Sequence, residues 1–245
     1  MFKLELKKLY NFRPKILDLR IKDSASKLLI LLVLGDIAFI LLHVFVSVRL
    51  PEGNLYDLSE DYSFAETHMY MKEYWVAILL FLLGITRKKF IYFSWSLMFL
   101  ILLLDDALQI HERVGGSLSV YFNDKFYLRP QDYGELLVYA IYALVLFSLI
   151  GFAYLRTDEQ GKKVSKNLFV LIVILAIFGV FIDMLGIMTW NILEYKSLSY
   201  WAYISEHLSA VIEDGGEMLV LSIILSYVFG LKMGVRDQKI NIFEK

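Results

Sequence analysis

A chain of 245 residues with 58% hydrophobic side chains and a mean hydropathy of +0.57 is too apolar for a soluble domain of its size, and its formal net charge of -1 gives no support to nucleic-acid binding. Zero cysteines exclude disulfides, thiolate nucleophiles and cysteine-type zinc sites, so any metal ligand must be histidine or oxygen. The class this leaves is an all-α polytopic membrane protein, a helical bundle embedded in the lipid bilayer.

In chain order, residues 1–26 form a Lys-rich lead-in whose amphipathic part, Met1 to Ile21, is expected to lie along the inner headgroups. Spanning helices need roughly 20 predominantly apolar residues. Six are expected, near 27–48, 70–86, 90–109, 134–155, 167–188 and 208–231. No small-residue cleavage pattern follows the first apolar run, which is therefore expected to remain as an anchor. The second is the shortest in uninterrupted apolar length, Trp75 to Ile85, and must borrow Met69 to Tyr74 despite Lys72 and Glu73 or else thin the bilayer locally. No Pro/Gly/Ser linker or internal repeat divides the chain, so residues 1–245 read as one domain, which leaves an oligomer open.

Of the 25 Lys and Arg residues, 19 fall in residues 1–27, Arg87 to Lys89, Arg156 to Lys166 and the stretch after Leu231. By the positive-inside rule both termini are cytoplasmic and the alternate loops lie outside. Tyr70, Tyr74, Trp75, Tyr133, Trp190, Tyr200, Trp201 and Tyr203 crowd the opposite boundary as an interfacial aromatic belt would. The segments Pro51 to Met69, Arg113 to Tyr133 and Asn191 to Ser205 mix aromatic and polar residues, which suits short interfacial helices or a cap. The expected address is a bacterial cytoplasmic (inner) membrane with the site facing the non-cytoplasmic side.

Charged side chains in hydrocarbon cost about 2.5–3.5 kcal/mol each on insertion scales, so the acids and histidines inside these spans locate function. The third span ends Asp105-Asp106-Ala-Leu-Gln109-Ile-His111-Glu112; at 100° per residue Asp105 and Glu112 share a helix face, with Asp106 and His111 beside it. The same segment also fits a helix emerging into water with Arg113 as counter-ion. The sixth span carries two stripes, Glu206, Glu213 and Glu217 in one, His207 and Asp214 in the other. Counted at ~1.5 Å per residue from each cytoplasmic end, His43, Asp105, Asp183 and Glu217 all lie roughly 21–24 Å up, one layer contributed by four helices. Asp36 lies deeper, on the face of His43, as a supporting partner or proton step. His68, beside Glu66 in an outer loop, reads as exposed.

The two acidic elements carry a resemblance. Asp105-Asp106 followed after four residues by His111-Glu112, and Glu213-Asp214 followed by Glu217, resemble a loosely defined group of bacterial multi-span membrane proteins with an acidic-pair/His-Glu helix motif and a later three-acid motif. The likeness covers two short segments and implies no reaction. Two departures stand out: Gly215 and Gly216 are expected to loosen the second helix, and Asp106 is shorter than the Glu expected there.

The candidate metal ligands are thus His43, Asp105, Asp106, His111, Asp183, His207, Asp214 and Glu217, with Glu112 and Glu213 as candidate catalytic proton carriers. A carboxylate-rich set with imidazoles suits a divalent zinc, iron or manganese ion, and calcium or magnesium where no imidazole is engaged. Three functions compete: a metal-dependent hydrolase or transferase acting on a lipid-linked or outer-face substrate; a proton-coupled divalent cation transporter or channel subunit; and a structural membrane subunit whose acids only pair helices. No HExxH or ExxH pair, phosphate loop or Ser-His-Asp order argues for a familiar alternative.

Overall fold

The computed structural model describes residues 23–46, 49–50 and 53–234, all-helical apart from turns and loops, and the lead-in expected at Met1 to Ile21 lies outside the described residues. Helix starts follow side-chain chemistry. Asp23 accepts from Ser26 N at 2.8 Å and opens α1, Ser24–Phe45. Ser63 accepts from Glu66 N at 3.2 Å and Glu66 in turn from Tyr62 N, opening α2, Phe64–Arg87, with a reciprocal cap. Lys88, in the left-handed region at φ 52°, ends α2 and lets α3, Phe90–Leu108, return beside it.

A short α4, Ile110–Leu118, and a single 3-10 turn at Ser119–Tyr121 lead through a loop to α5, Pro130–Leu155, which carries proline in its first turn, where the missing N–H costs nothing. Asp158 caps α6, Glu159–Ala176. The helix runs on without a break through a π-helical turn, Ile177–Ile182, into α7, Asp183–Tyr195. The last helix is α8, Ser199–Lys232.

Among the described residues five helices are long and apolar enough to cross a membrane: α1, α2, α3, α5 and the continuous run Glu159–Tyr195. They correspond to the first five expected spans, with α1 ending at Phe45 and α3 at Leu108. The sixth, 208–231, lies in the 34-residue α8, whose basic-end half is almost wholly enclosed by the others, with Met218, Ile224 and Val228 buried. α2 and α3 pair as a hairpin, α4 lies on α5, and α1, α2 and α7 pack on α8. The outer surface is apolar: α1 turns Leu31, Leu34 and Leu41 outward and α5 turns out Leu144 and Val145, as a lipid-facing bundle requires.

Inside a bilayer apolar burial does little to hold helices together, so packing and polar contacts between helices must. Trp95 Nε1 donates to Ser165 Oγ at 2.9 Å, and Asn167 Nδ2 to the Tyr227 hydroxyl at 2.9 Å. At the basic end Arg87 donates to the Leu231 carbonyl at 2.9 Å and to the Tyr92 hydroxyl at 3.0 Å, supplying donors to the last turn of α8. The acids gather at the opposite end.

Candidate metal centre

Gln109 shapes the strongest constellation. It stands in the left-handed region at φ 49°, ending α3 and starting α4. The expected face shared by Asp105 and Glu112 is therefore not formed, because the helical count is interrupted between them. The break brings His111 back onto Asp105 instead: His111 N donates to Asp105 Oδ1 at 3.0 Å, and His111 Nδ1 lies 2.8 Å from Oδ2. The Tyr142 hydroxyl of α5 donates to Oδ1 at 3.0 Å, and the Tyr139 ring lies 4.9 Å from the imidazole. Asp105 has no solvent exposure.

Asp106 completes the group: Asp105, Asp106 and His111 each offer a ligand atom, all within 4.8 Å of one another. Behind Asp106 stands Glu73 of α2, whose carboxyl shares a hydrogen bond with it while Glu73 Oε2 is buried without a partner. Burial works against a charged His111, but the hydrogen bond to Asp105 and the surrounding carboxylates prevail and raise its pKa above the ordinary imidazole value. Glu112, 3.8 Å from His111 Nε2, is raised by partial burial and by the charge of Asp61.

A second group is separate. His43 of α1, Asp57 of the loop before α2 and His207 of α8 also bring ligand atoms within 4.8 Å. Among the described residues these are the groups of three or more His and carboxylate side chains so placed, and neither contains Asp183, Asp214 or Glu217. The layer expected from His43, Asp105, Asp183 and Glu217 is thus divided. His43 goes with His207, Asp105 with Asp106 and His111, and the remaining acids gather around the π-helical turn. There Glu217 rests on Gly179, where a Cβ would come 1.7 Å from Oε1, and it lies within electrostatic reach of Asp106, Glu213 and Asp183. Gly216 has the Phe178 ring against it, 2.2 Å from where a Cβ would stand, so this glycine lets the π-helical turn seat on an unbroken α8 where loosening was expected.

Asp36 is neither a partner of His43 nor an open proton step. Lys72, 1% exposed, is bonded to Asp36 Oδ1 and donates to the Met218 carbonyl at 3.0 Å, while Ser222 Oγ donates to Asp36 Oδ2 at 2.6 Å. His68 belongs to this cluster, its Nε2 3.4 Å from Asp36 Oδ1 and its ring against Phe39, which corrects its reading as an exposed loop residue: α2 starts six residues earlier than expected and carries it inward.

Between the start of α5, α7 and α8 lies a cavity of about 330 Å³ lined by Arg129, Asp183, Ile187, Trp190, Glu206 and Glu213 among others. Arg129 is held by Asp132 at 2.7 Å. Sequence reasoning missed Asp57, Glu73, Tyr139 and Tyr142, and counted Lys72 only as a charge that the second span must accommodate. The adjacent Lys72-Glu73 pair was the available signal, since two ionisable residues inside an expected span are costly unless they face partners in the bundle.

The fold and these groups are those of a helical protein with membrane-spanning apolar helices and two sets of histidine and carboxylate side chains that could hold a metal ion. The chain belongs to the family described as Domain of unknown function (DUF8692), which matches residues 31–231 and so includes both acidic elements of the sequence. No curated protein and no solved structure matches it.

Proposed function

We propose that the protein is a membrane-embedded, metal-dependent hydrolase or transferase, with the ion held by Asp105, Asp106 and His111 and a lipid-linked substrate entering from the acidic end. The observation that carries this is a charge imbalance. Among the described residues none of Glu73, Asp105, Asp106, Glu213, Asp214 and Glu217 forms an ion pair with Lys or Arg, whereas Asp36 and Asp132 each do. Glu73 and Asp105 are buried and the other four half-buried; carboxylates so enclosed, with only His111 beside Asp105 as a basic group, repel one another and pay for desolvation, so a divalent ion or retained protons must balance them.

The donor set is mostly carboxylate with one imidazole, which suits manganese, iron or zinc. When bound, such an ion supplies Lewis-acid polarisation of a substrate oxygen. Asp105 is pinned by His111 N and Tyr142 and holds the imidazole in place. Glu112 and Glu213 are the proton carriers, one beside His111 and the other in the cavity wall. Glu217 joins the two, in electrostatic reach of Asp106 on one side and of Glu213 on the other. Ile187 and Trp190 give the cavity an apolar wall and Arg129 a cationic one, a combination suited to a lipid-linked molecule with an anionic head.

The distribution of basic residues supports a cytoplasmic-membrane location with this end outside, and reporter fusions at Arg87 to Lys89 and at Arg156 to Lys166 should read as cytoplasmic. The hydrogen-bonded Glu73–Asp106 pair supports a second reading, a proton-coupled cation transporter, because such carboxyls readily share a proton. Against a through-path stands the interior towards the basic end, where Asp36 is already paired and Trp95, Phe99, Leu168 and Ile224 fill the space. Elemental analysis of the purified protein discriminates: a stoichiometric transition metal that Asp106→Asn removes is the expected result. No metal in the parent, with cation-dependent proton movement in vesicles, would overturn the enzyme reading.

A further inference from the structure

We infer that His43, Asp57 and His207 form a second and independent metal site, of the zinc class, which fastens the loop before α2 to α1 and α8. It does not rest on the reading of Asp105, Asp106 and His111, with which it shares no ligand.

The geometry is that of an assembled set of donors. His43 is fully buried in the last turn of α1. Its Nδ1 faces the loop, 3.2 Å from Leu58 N and 3.2 Å from Asp57 Oδ1. Its Nε2 is buried and has no hydrogen-bond partner, and the same holds for Nδ1 of His207. The two rings lie 5.1 Å apart between centroids, and the edge of Tyr203 packs on His207 at 4.4 Å. Two facing imidazoles, each with an unsatisfied ring nitrogen out of reach of solvent, are costly unless, with the His43 proton on Nδ1 towards Asp57 Oδ1, something accepts the lone pairs of His43 Nε2 and His207 Nδ1. A cation does so directly.

The donor types choose the ion. Two neutral imidazoles and one carboxylate are borderline ligands that suit zinc and its neighbours over calcium or magnesium. Ligands on a tetrahedral zinc stand about 3.4 Å apart, given metal–ligand lengths near ~2.1 Å. Donor atoms already within 4.8 Å of one another reach that spacing by small side-chain adjustments. Asp57 is oriented for the task, its Oδ1 receiving Ser59 N at 3.1 Å and Ser59 Oγ at 2.8 Å, the kind of support that fixes a carboxylate ligand. Three protein ligands leave a fourth position for water or for a substrate group at the acidic end.

The test uses the full chain, tag removed, purified in detergent, stripped with chelator and reloaded with zinc chloride under a competing chelator of known affinity. The expected result is one equivalent of zinc that both His207→Gln and Asp57→Asn release, with affinity lowered by at least about 100-fold, since even residues behind the ligands cost 10–100-fold. Asp106→Asn should retain this equivalent, which separates failure of this site from failure of the other. Cobalt(II) substituted for zinc should give intense tetrahedral visible bands that disappear in His207→Gln, and zinc should slow proteolysis within residues 53–63 in the parent only. His43→Ala is the obvious variant but removes a buried core side chain, so His207 and Asp57 carry the test. Zinc affinity unchanged in both variants, or no zinc held by the parent against the chelator, overturns the proposal.

Discussion

Two charged clusters occupy the same apolar interior and are built on opposite principles. Asp36, Lys72, His68 and Ser222 form a closed set: one acid, one lysine, an imidazole at its edge, a hydroxyl and a backbone carbonyl. Glu73, one residue after Lys72, enters the opposite kind of set, in which Asp105, Asp106 and Glu217 add negative charge and no lysine or arginine among the described residues answers it. The first cluster is complete without a ligand and ties α1, α2 and α8 together. The second is complete only with a cation or protons, so burial of charge does not itself mark function, whereas burial of unbalanced charge does.

The largest expected effect breaks the closed set. Lys72→Met leaves Asp36 charged and uncompensated in the core and should destabilise by about 3–5 kcal/mol, read as loss of thermal stability in detergent. Adding Asp36→Leu should restore most of that, because an apolar pair of similar volume removes both desolvation costs. If the single variant is as stable as the parent, Asp36 is not held as a charge and the contrast between the clusters fails.

The open set should respond in the other sense. Asp105→Asn disturbs acceptors used by His111 N, His111 Nδ1 and Tyr142, and should cost about 1–3 kcal/mol together with the bound metal. Glu217→Gln removes one of several mutually repelling acids, so the stripped protein should be as stable as the parent or more so, while metal retention falls. Paired melting curves with and without chelator decide this. Equal destabilisation by both substitutions, with metal content unchanged, would make the acids a structural device.

The contrast was only half legible in the sequence. Apolar length alone located the helices, since each spanning segment must satisfy its own backbone. It could not reveal that Gln109 would take a left-handed conformation, because no glycine or proline marks the break, and that turn is what brings His111 to Asp105. Depth counting placed polar groups in a common layer but carries no information on which way helices rotate, so His43 and Asp105 were assigned together. Asp57 lies in a loop where no periodicity applies, and Lys72-Glu73 counted only as charges within a short span, because nothing but tertiary packing assigns each its partners.

Two glycines sharpen the comparison at the π-helical turn. Gly216→Ala would drive a methyl into the Phe178 ring, 2.2 Å from the Cβ position, and should cost about 1–3 kcal/mol by overpacking. Gly179→Ala meets only the far end of Glu217, a side chain that can swing aside, so stability should stay within about 1 kcal/mol of the parent. Its effect should instead be on metal retention, and it should vanish in a Glu217→Ala background. A Gly179→Ala protein that binds metal as the parent does would remove Glu217 from the site.

The smallest effect tests whether ordinary surface charge behaves differently from both clusters. Lys89 Nζ lies 2.8 Å from Asp158 Oδ2 at the basic end, with the two side chains 24% and 54% exposed. The hydrogen bond from Lys89 is the main cause that holds the Asp158 carboxyl below its ordinary value, against the opposing effect of burial. A carboxyl lowered on folding contributes stability in full above its unfolded value near ~3.9 and loses it as the pH falls through the lower folded value. Asp158→Asn keeps an oxygen to accept from Gly161 N and removes only the charge, so it should cost at most about 0.5 kcal/mol at neutral pH, less in high salt. Below the folded value the parent carboxyl is protonated too, and the two proteins should melt together; Asp158→Ala, which also loses the cap, should remain about 1 kcal/mol worse at either pH. A cost for Asp158→Asn that persists unchanged into acid would assign the contribution to hydrogen bonding and leave the exposed ion pair with no part in joining α3 to α6.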